Sequence, residues 1–376
     1  MQQHYLDNSA TTKPCEQAVA AALNAMTADF GNPSSLHGLG LAAENLVATA
    51  REQLAERLGA DVREVYFTSG GSEGNNTALF GAAHARRRLG RHIIATAVEH
   101  DSVLMPLKQL EKQGFEVTYL APGPDGNLQP EQFKNALRPD TILVTCMAVN
   151  NETGAVFPVT RLREVLQAAG SKALLHTDCV QAFGKLPVDA LDWGVDLLSA
   201  SAHKVHGLKG CGLLYIKKGL NLPPLIYGGG QESGLRSGTE AVPNISAFGA
   251  AVKALPSSAD FLKHTKSLQA LLRERLQGFQ NVQINSPQNG CPYILNFSFT
   301  GYRSETLLHF LAQRGVFVSS GSACAKGKGS HVLLAQGLPK NRVDSALRVS
   351  FSYQNTPEDV LALCSALTEA QGLVHR

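Results

Sequence analysis

Seven short apolar runs, separated by helical stretches or turns, constrain this chain more than any other feature. They read "EVYFTSGG", "RHIIATAVEH", "FEVTYLAP", "TILVTCMAVNN", "KALLHTDCVQ", "VDLLSASAHK" and "GCGLLYIKK". Runs of this length, bounded by turn residues, suit strands buried on both faces, and their alternation with helices points to a mostly parallel sheet covered on both sides. Ahead of them a helix-spaced stripe of Leu46, Val47, Ala50, Leu54 and Leu58 ends at Gly59, a natural left-handed cap. The expected fold class is α/β. After about residue 255 a long helical stretch to about Phe279 gives way to strand-like "PYILNFSFTG", "GVFVSSGS" and "ALRVSFS" between helices, which predicts a smaller α+β unit. With 376 residues, 44% of them hydrophobic, the chain has the material for more than one domain.

Charge excludes some partners. The net charge is +3 and the basic residues are dispersed apart from clusters such as "ARRRLGR", so the chain has no footprint for nucleic acid or for anionic lipid. "MQQHYLDNSATT" has neither the charged start nor the apolar run of a signal peptide, and no stretch approaches the roughly 20 apolar residues of a membrane span. The expected location is the cytoplasm. Seven scattered cysteines without a C-x-x-C pair argue against a disulfide framework or a zinc site.

Polar residues gather where the runs stop. Ser72 follows the first run, His100 the second, Asn151 the fourth, Asp178 and Gln181 the fifth, and Ser201, His203 and Lys204 the sixth. Ligands of open α/β sheets bind outside the carboxyl ends of the strands, so these residues should meet in one crevice. The dinucleotide-like "GLGLAA", Gly38 to Ala43, is set aside because no apolar strand precedes it. A lysine, an aspartate, a histidine and a glycine-rich loop suit pyridoxal 5'-phosphate. Its aldehyde takes the lysine, its ring nitrogen an acidic partner, and its phosphate the donors at a helix N-terminus. "TSGGSEGNN" supplies that N-terminus through Gly70, Gly71 and Ser72. A second feature is "SSGSACAKGKGSH", where Cys324 sits among small and basic residues. Such surroundings suit a reactive thiol, with Lys326 and Lys328 favouring the thiolate.

The motifs "YLDNSATT", "GNPSSLH", "TSGGSEGNN", "VEHDS", "VNNETG", "HTDCVQ", "SAHKVHGLKG", "GGGQESGLRSGT", "SSGSAC" and "LRVSFS" occur in one order along nearly the whole chain. In this the chain resembles the class V aminotransferase-like family of pyridoxal phosphate enzymes, and within it the cysteine desulfurases that have a "SSGSAC" loop. The resemblance implies fold type I, aspartate aminotransferase-like, and a homodimer. It implies a large domain over 12–256, and a small one from 1–11 with 257–376 that carries the Cys324 loop. By resemblance Lys204 is the lysine that holds the cofactor covalently, Asp178 the partner of the ring nitrogen, and Gln181 and Asn151 neighbours of the ring hydroxyl. His100 resembles the residue stacked on the ring. Gly71, Ser72, Ser201 and His203 resemble the phosphate cup, with Thr239 entering from the second subunit, and Arg348 the clamp on the substrate carboxylate. Asn151 also faces the substrate.

The chain departs from that pattern at Leu208, Ser233, Ser352 and Tyr353, which bear on the rim of the site and the dimer interface. Cys179 stands where a small residue is usual and reads as packing. The mechanism implied by the resemblance makes Lys204 the base at Cα and places His100 to move a proton at the substrate thiol or amine. The Cys324 thiolate attacks the sulfur of L-cysteine, leaving alanine and a Cys324 persulfide. The sulfur then passes to an acceptor protein, an iron-sulfur scaffold or a tRNA-thiolation enzyme. Taken singly, the residues have plainer readings. Lys204 suits any strand end, His100 a satisfied core histidine, Arg348 a structural ion pair, and Ser201 and Thr239 turn hydroxyls. Two other functions stay open: a pyridoxal phosphate transaminase or selenocysteine lyase of the same fold, whose turnover would not need Cys324, and a non-catalytic sulfur-trafficking component.

Overall fold

The computed structural model describes residues 2–320 and 329–374. Strand β1 (His4–Tyr5) is followed by β2 (Val65–Thr68), β3 (His92–Thr96), β4 (Glu116–Leu120), β5 (Thr141–Thr145), β6 (Leu174–Asp178), β7 (Leu197–Ser201) and β8 (Gly212–Ile216). Seven of these form one sheet in the order β2-β8-β7-β6-β5-β3-β4. Strands β4, β3, β5, β6 and β7 run parallel, and β8 is antiparallel to both its neighbours. All seven apolar runs of the sequence are strands of this sheet. Every residue of β3, β5, β6, β7 and β8 is buried, which is why these runs lack the alternation of a half-exposed strand.

The helix Gly38–Leu58 ends at Gly59 with φ 62°, the left-handed cap its sequence predicts. "GLGLAA" opens that helix and follows no strand. The long C-terminal helical stretch is the helix Ser258–Leu276, capped by the Ser257 side chain on the Asp260 amide. Beyond it β9 (Val282–Ile284), β10 (Ile294–Phe299) and β12 (Ala346–Ser350) make an antiparallel sheet in the order β12-β10-β9, while β11 (Val316–Phe317) pairs in parallel with β1. "GVFVSSGS" therefore contributes a strand of two residues plus a bridge from Ser319 to Arg348. The N-terminal segment reaches the C-terminal sheet through a bridge from Asp7 to Ser350. One apolar cluster runs from Leu6 through Val144, Leu198 and Phe248 to Phe297, Phe351 and Leu367, joining the seven-stranded sheet to the C-terminal elements.

Candidate active site

The carboxyl ends of the parallel strands open into a cavity of about 390 Å³. Gly71, Ser72, His100, Asn151, Asp178, Gln181, Ser201, His203, Lys204 and Arg348 all line it. Thr239 lies outside it and is exposed. Cys324, Lys326 and Lys328 lie outside the described residues. None of Leu208, Ser233, Ser352 and Tyr353 lines the cavity. Leu208 packs against the Cys15, Ala18 and Ala22 cluster, and Tyr353 stands over the His206 ring at 4.5 Å. Cys179 is fully buried in the core, as packing requires.

The glycine loop is built for a close approach. Gly70 has φ 152°, and the helix Gly71–Arg86 starts immediately after it. A Cβ at Gly71 would stand 2.6 Å from Val180 Cγ2, so the cradle has room only for backbone. The first amides of a helix have no partner within it and carry the positive end of its dipole, which suits an anion. Ser201 ends β7 and His203 follows it in the turn Ala202–Lys204. Burial, with Lys204 adding to it, lowers the His203 pKa to about 4, so the ring is neutral near pH 7.

Asp178 ends β6 and is 5% exposed. The Val180 amide donates to its Oδ1 at 2.9 Å, and Asn75 Nδ2 donates to its Oδ2 at 2.7 Å. Asn75 also reaches Ser102 Oγ at 2.8 Å, and Ser102 Oγ lies 2.8 Å from His100 Nδ1. The Ser102 amide donates to that same Nδ1 at 3.1 Å, so the neutral His100 ring carries its proton on Nε2. Carboxylate, amide, hydroxyl and imidazole thus form one chain across the site, which fixes the His100 ring. Sequence reasoning passed over Asn75. Its signal was there: with Gly71, Ala78 and Ala82 it completes the buried stripe of the helix, and a polar residue in such a stripe needs a reason.

Lys204 Nζ donates to the Ser9 and Ala10 carbonyls at 2.5 and 2.7 Å. The Thr12 amide and hydroxyl bond the His203 carbonyl at 2.8 and 3.1 Å, holding residues 9–12 beneath the lysine turn. Gln181 is set from two sides, donating Nε2 to the Ser9 carbonyl at 2.9 Å and accepting from Lys185 Nζ at 3.2 Å. Arg348, on β12 and 4% exposed, forms the structural ion pair that its plainer reading allows, to Asp7 Oδ1 at 2.7 Å. It also donates to the Asn151 carbonyl at 3.0 Å and still faces the cavity. Among the described residues its buried Nε has no hydrogen-bond partner.

The donor set is compatible with a flat cofactor that has an aldehyde, a ring nitrogen and a phosphate: the cavity offers an amine in Lys204, a carboxylate in Asp178, and an anion cradle at Gly71 with Ser72, Ser201 and His203. Among the described residues no cluster of histidine, cysteine and carboxylate side chains suits a metal ion, and no helix is long and apolar enough to cross a membrane.

The chain belongs to the class-V aminotransferase family, whose model matches residues 4–363. Its relatives give that class a more particular character. The chain is 41% identical over 363 residues to the cysteine desulfurase IscS of Methanosarcina thermophila, covering 95% of this chain and 89% of that protein. It is 43% identical over 367 residues to the putative cysteine desulfurase IscS 1 of Bacillus subtilis strain 168, covering 96% of each. Among solved structures a NifS-like protein superposes with a TM-score of 0.93 at 35% identity, over 99% of this chain and 100% of that one. SspA in complex with cysteine follows at 0.83 and 36%, over 94% and 100%.

Proposed function

We propose that this chain is a pyridoxal phosphate-dependent cysteine desulfurase, converting L-cysteine to L-alanine and taking the sulfur on Cys324 as a persulfide. The observation that carries the reading is the meeting of Lys204, Asp178, His100 and Arg348 in one cavity at the strand ends, in a chain whose relatives are cysteine desulfurases. The bound cofactor supplies an electron sink that stabilises negative charge at the substrate Cα. Lys204 binds the cofactor and, once released from it, takes the proton from Cα. Asp178, its position fixed by Asn75 and the Val180 amide, keeps the ring nitrogen protonated. Arg348 offers its fork, whose Nε has no partner among the described residues, to the substrate carboxylate. His100, oriented by Ser102, moves a proton at the substrate thiol or amine through Nε2. The Cys324 thiolate attacks the substrate sulfur: the S–S bond forms, the Cβ–S bond breaks, and Cβ gains the proton that makes the methyl group of alanine. The persulfide then goes to an acceptor protein of iron-sulfur assembly or tRNA thiolation.

Residues 12–256 form the large domain of this reading, and 1–11 with 257–376 the small one. The six cysteines among the described residues are all free, which supports a reducing, cytoplasmic setting. The working unit is a homodimer, with Thr239 reaching the neighbouring phosphate. An exposed apolar stripe supports it: Val19, Leu23 and Met26 lie at helical spacing, flanking the buried stripe of Ala18, Ala22 and Ala25, with Phe30 and Leu36 exposed beyond them. Light scattering at assay concentration should give twice the chain mass. An active monomer would remove the second subunit from the site.

The purified protein should be yellow, and borohydride should fix the cofactor covalently to the peptide carrying Lys204, as read by mass spectrometry. Lys204→Ala should lose that attachment and nearly all turnover, by at least ~10³-fold. A colourless protein that gains no visible band with pyridoxal phosphate sinks the reading.

A further inference from the structure

Glu152 lines the cavity beside Asn151, yet the reaction described above gives it no part. It is 4% exposed, and its Oε2 accepts the hydroxyl proton of Ser330. Ser330 Oγ accepts in turn from the Leu333 amide at 3.1 Å, so its proton is free to stay on Glu152. The peptide just before Glu152 is the one whose carbonyl takes Arg348 Nη1. The carboxyl therefore sits on the wall that Arg348 presents to a ligand.

The charges around it, among the described residues, do not balance if it ionises. Among the described residues the cavity lining holds two cations, Lys204 and Arg348, against Asp101, Asp178 and Glu152. Arg348 is already paired with Asp7, and Lys204 is the residue that binds the cofactor. His203 is neutral, and His331 is engaged with the Glu99 carbonyl at 3.0 Å. An amino acid adds one more carboxylate beside Arg348. We infer that Glu152 is a neutral acid whenever an amino acid occupies the site, so that loss of its proton expels the substrate carboxylate from Arg348. Glu152 is thus a positioning and specificity residue. It lets the site hold one ligand carboxylate and makes its occupancy sensitive to pH.

The direction of the effect follows from burial. Burial raises the Glu152 pKa to about 7, with Asp101 adding to it and the Ser330 hydrogen bond and Arg348 opposing it. Below that value the carboxyl is neutral and Arg348 is open to the ligand. Above it, the charge on Glu152 competes for the guanidinium and repels the incoming carboxylate. The binding-competent fraction then falls about tenfold per pH unit once the acid is mostly ionised.

This inference rests on the reading of the cavity as an amino-acid site, and the test separates the two. L-Alanine, the product without the thiol, is titrated into the cofactor-loaded protein and followed by the visible absorption of the cofactor. Between about pH 6 and about pH 8.5 the wild type should lose at least ~10-fold in alanine affinity, beyond the titration of the ligand's own amine, which is common to all variants. Glu152→Gln, which keeps an acceptor for Ser330, should lack that extra loss and bind at the higher pH several-fold more tightly than the wild type. Equal pH dependence in both proteins overturns the role of Glu152. If Glu152→Gln yields no folded protein, the wild-type profile decides, and no extra loss across the interval overturns it. If alanine and cysteine leave the band untouched at every pH, the amino-acid site itself is wrong, and this inference falls with it.

Discussion

Cys324→Ala should bind pyridoxal phosphate and L-cysteine as the wild type does, yet release alanine at least ~10³-fold more slowly. On the proposed reading cofactor and amino acid are held by Lys204, Asp178 and Arg348, all of which the variant keeps. What disappears is the nucleophile, and no other thiol can replace it. The six cysteines among the described residues are all buried. Burial raises the pKa of Cys211 and Cys291 to about 12 and of Cys364 to about 11, and it pushes Cys146 and Cys179 well up too. A thiol in that state offers almost no thiolate near pH 7. Alanine formation in a single turnover measures the step, and mass spectrometry after a cysteine pulse without reductant should find one extra sulfur on the Cys324 peptide of the wild type. Alanine made by Cys324→Ala at the wild-type rate would replace the persulfide route with a transaminase or lyase of the same fold.

The second large effect is on stability in acid. Burial lowers the pKa of His176 to about 3 and of His203 and His206 to about 4. In the unfolded chain all three take a proton near pH 6.5, so from there down to about pH 4 the unfolded state binds more protons and stability falls as pH falls. Each such proton is worth about 1.4 kcal/mol per pH unit. Two buried acids oppose them. Burial raises Glu99 to about 8 and Glu152 to about 7, so down to roughly pH 4.5 the folded state holds protons that the unfolded state lacks. Between about pH 6.5 and 4.5 the two acids offset two of the three histidines, which leaves a loss of about 1.4 kcal/mol per pH unit. Below that range the acids are protonated in both states and only the histidines count, giving a loss of up to about 4 kcal/mol per pH unit. Urea midpoints should fall gently from about pH 6.5 to 5 and then collapse toward pH 4. A midpoint at about pH 4 equal to that at neutral pH would show that these histidines are solvated in the fold.

Much of the sheet was legible because its strands are buried on both faces, and continuous apolar runs such as "RHIIAT" have few other uses. The cavity was legible for a related reason. In a parallel sheet every strand delivers its last residues to the same edge, so position along the chain stands in for position in space. The plainer reading of Arg348 was half right, since it is both an ion pair and part of the cavity wall. The residues passed over are those whose partners lie far away in sequence. Asp7 meets Arg348 across 341 positions, and Glu152 meets Ser330 across 178. Nothing local to Asp7 or Glu152 distinguishes them from surface acids. Asn75 differs, because its place in a buried helical stripe was visible. The short β11 was overestimated, since its apolar run pairs through only two residues before the chain turns to Arg348.

The hold of residues 9–12 on the lysine turn, and of Asp7 on Arg348, has a consequence for how the protein is made. Residues 4–7 have their partners on β11 and β12, and Asp7 precedes Arg348 by 341 positions. At ~5–20 residues per second, Asp7 waits on the order of 20–70 s for Arg348 to be synthesised. Until then the contacts of residues 9–10 with Lys204 and of Asp7 with Arg348 cannot both be in place. A nascent chain that has not reached β12 lacks Arg348 and with it one wall of the cavity, so the site is assembled only once β12 has been made.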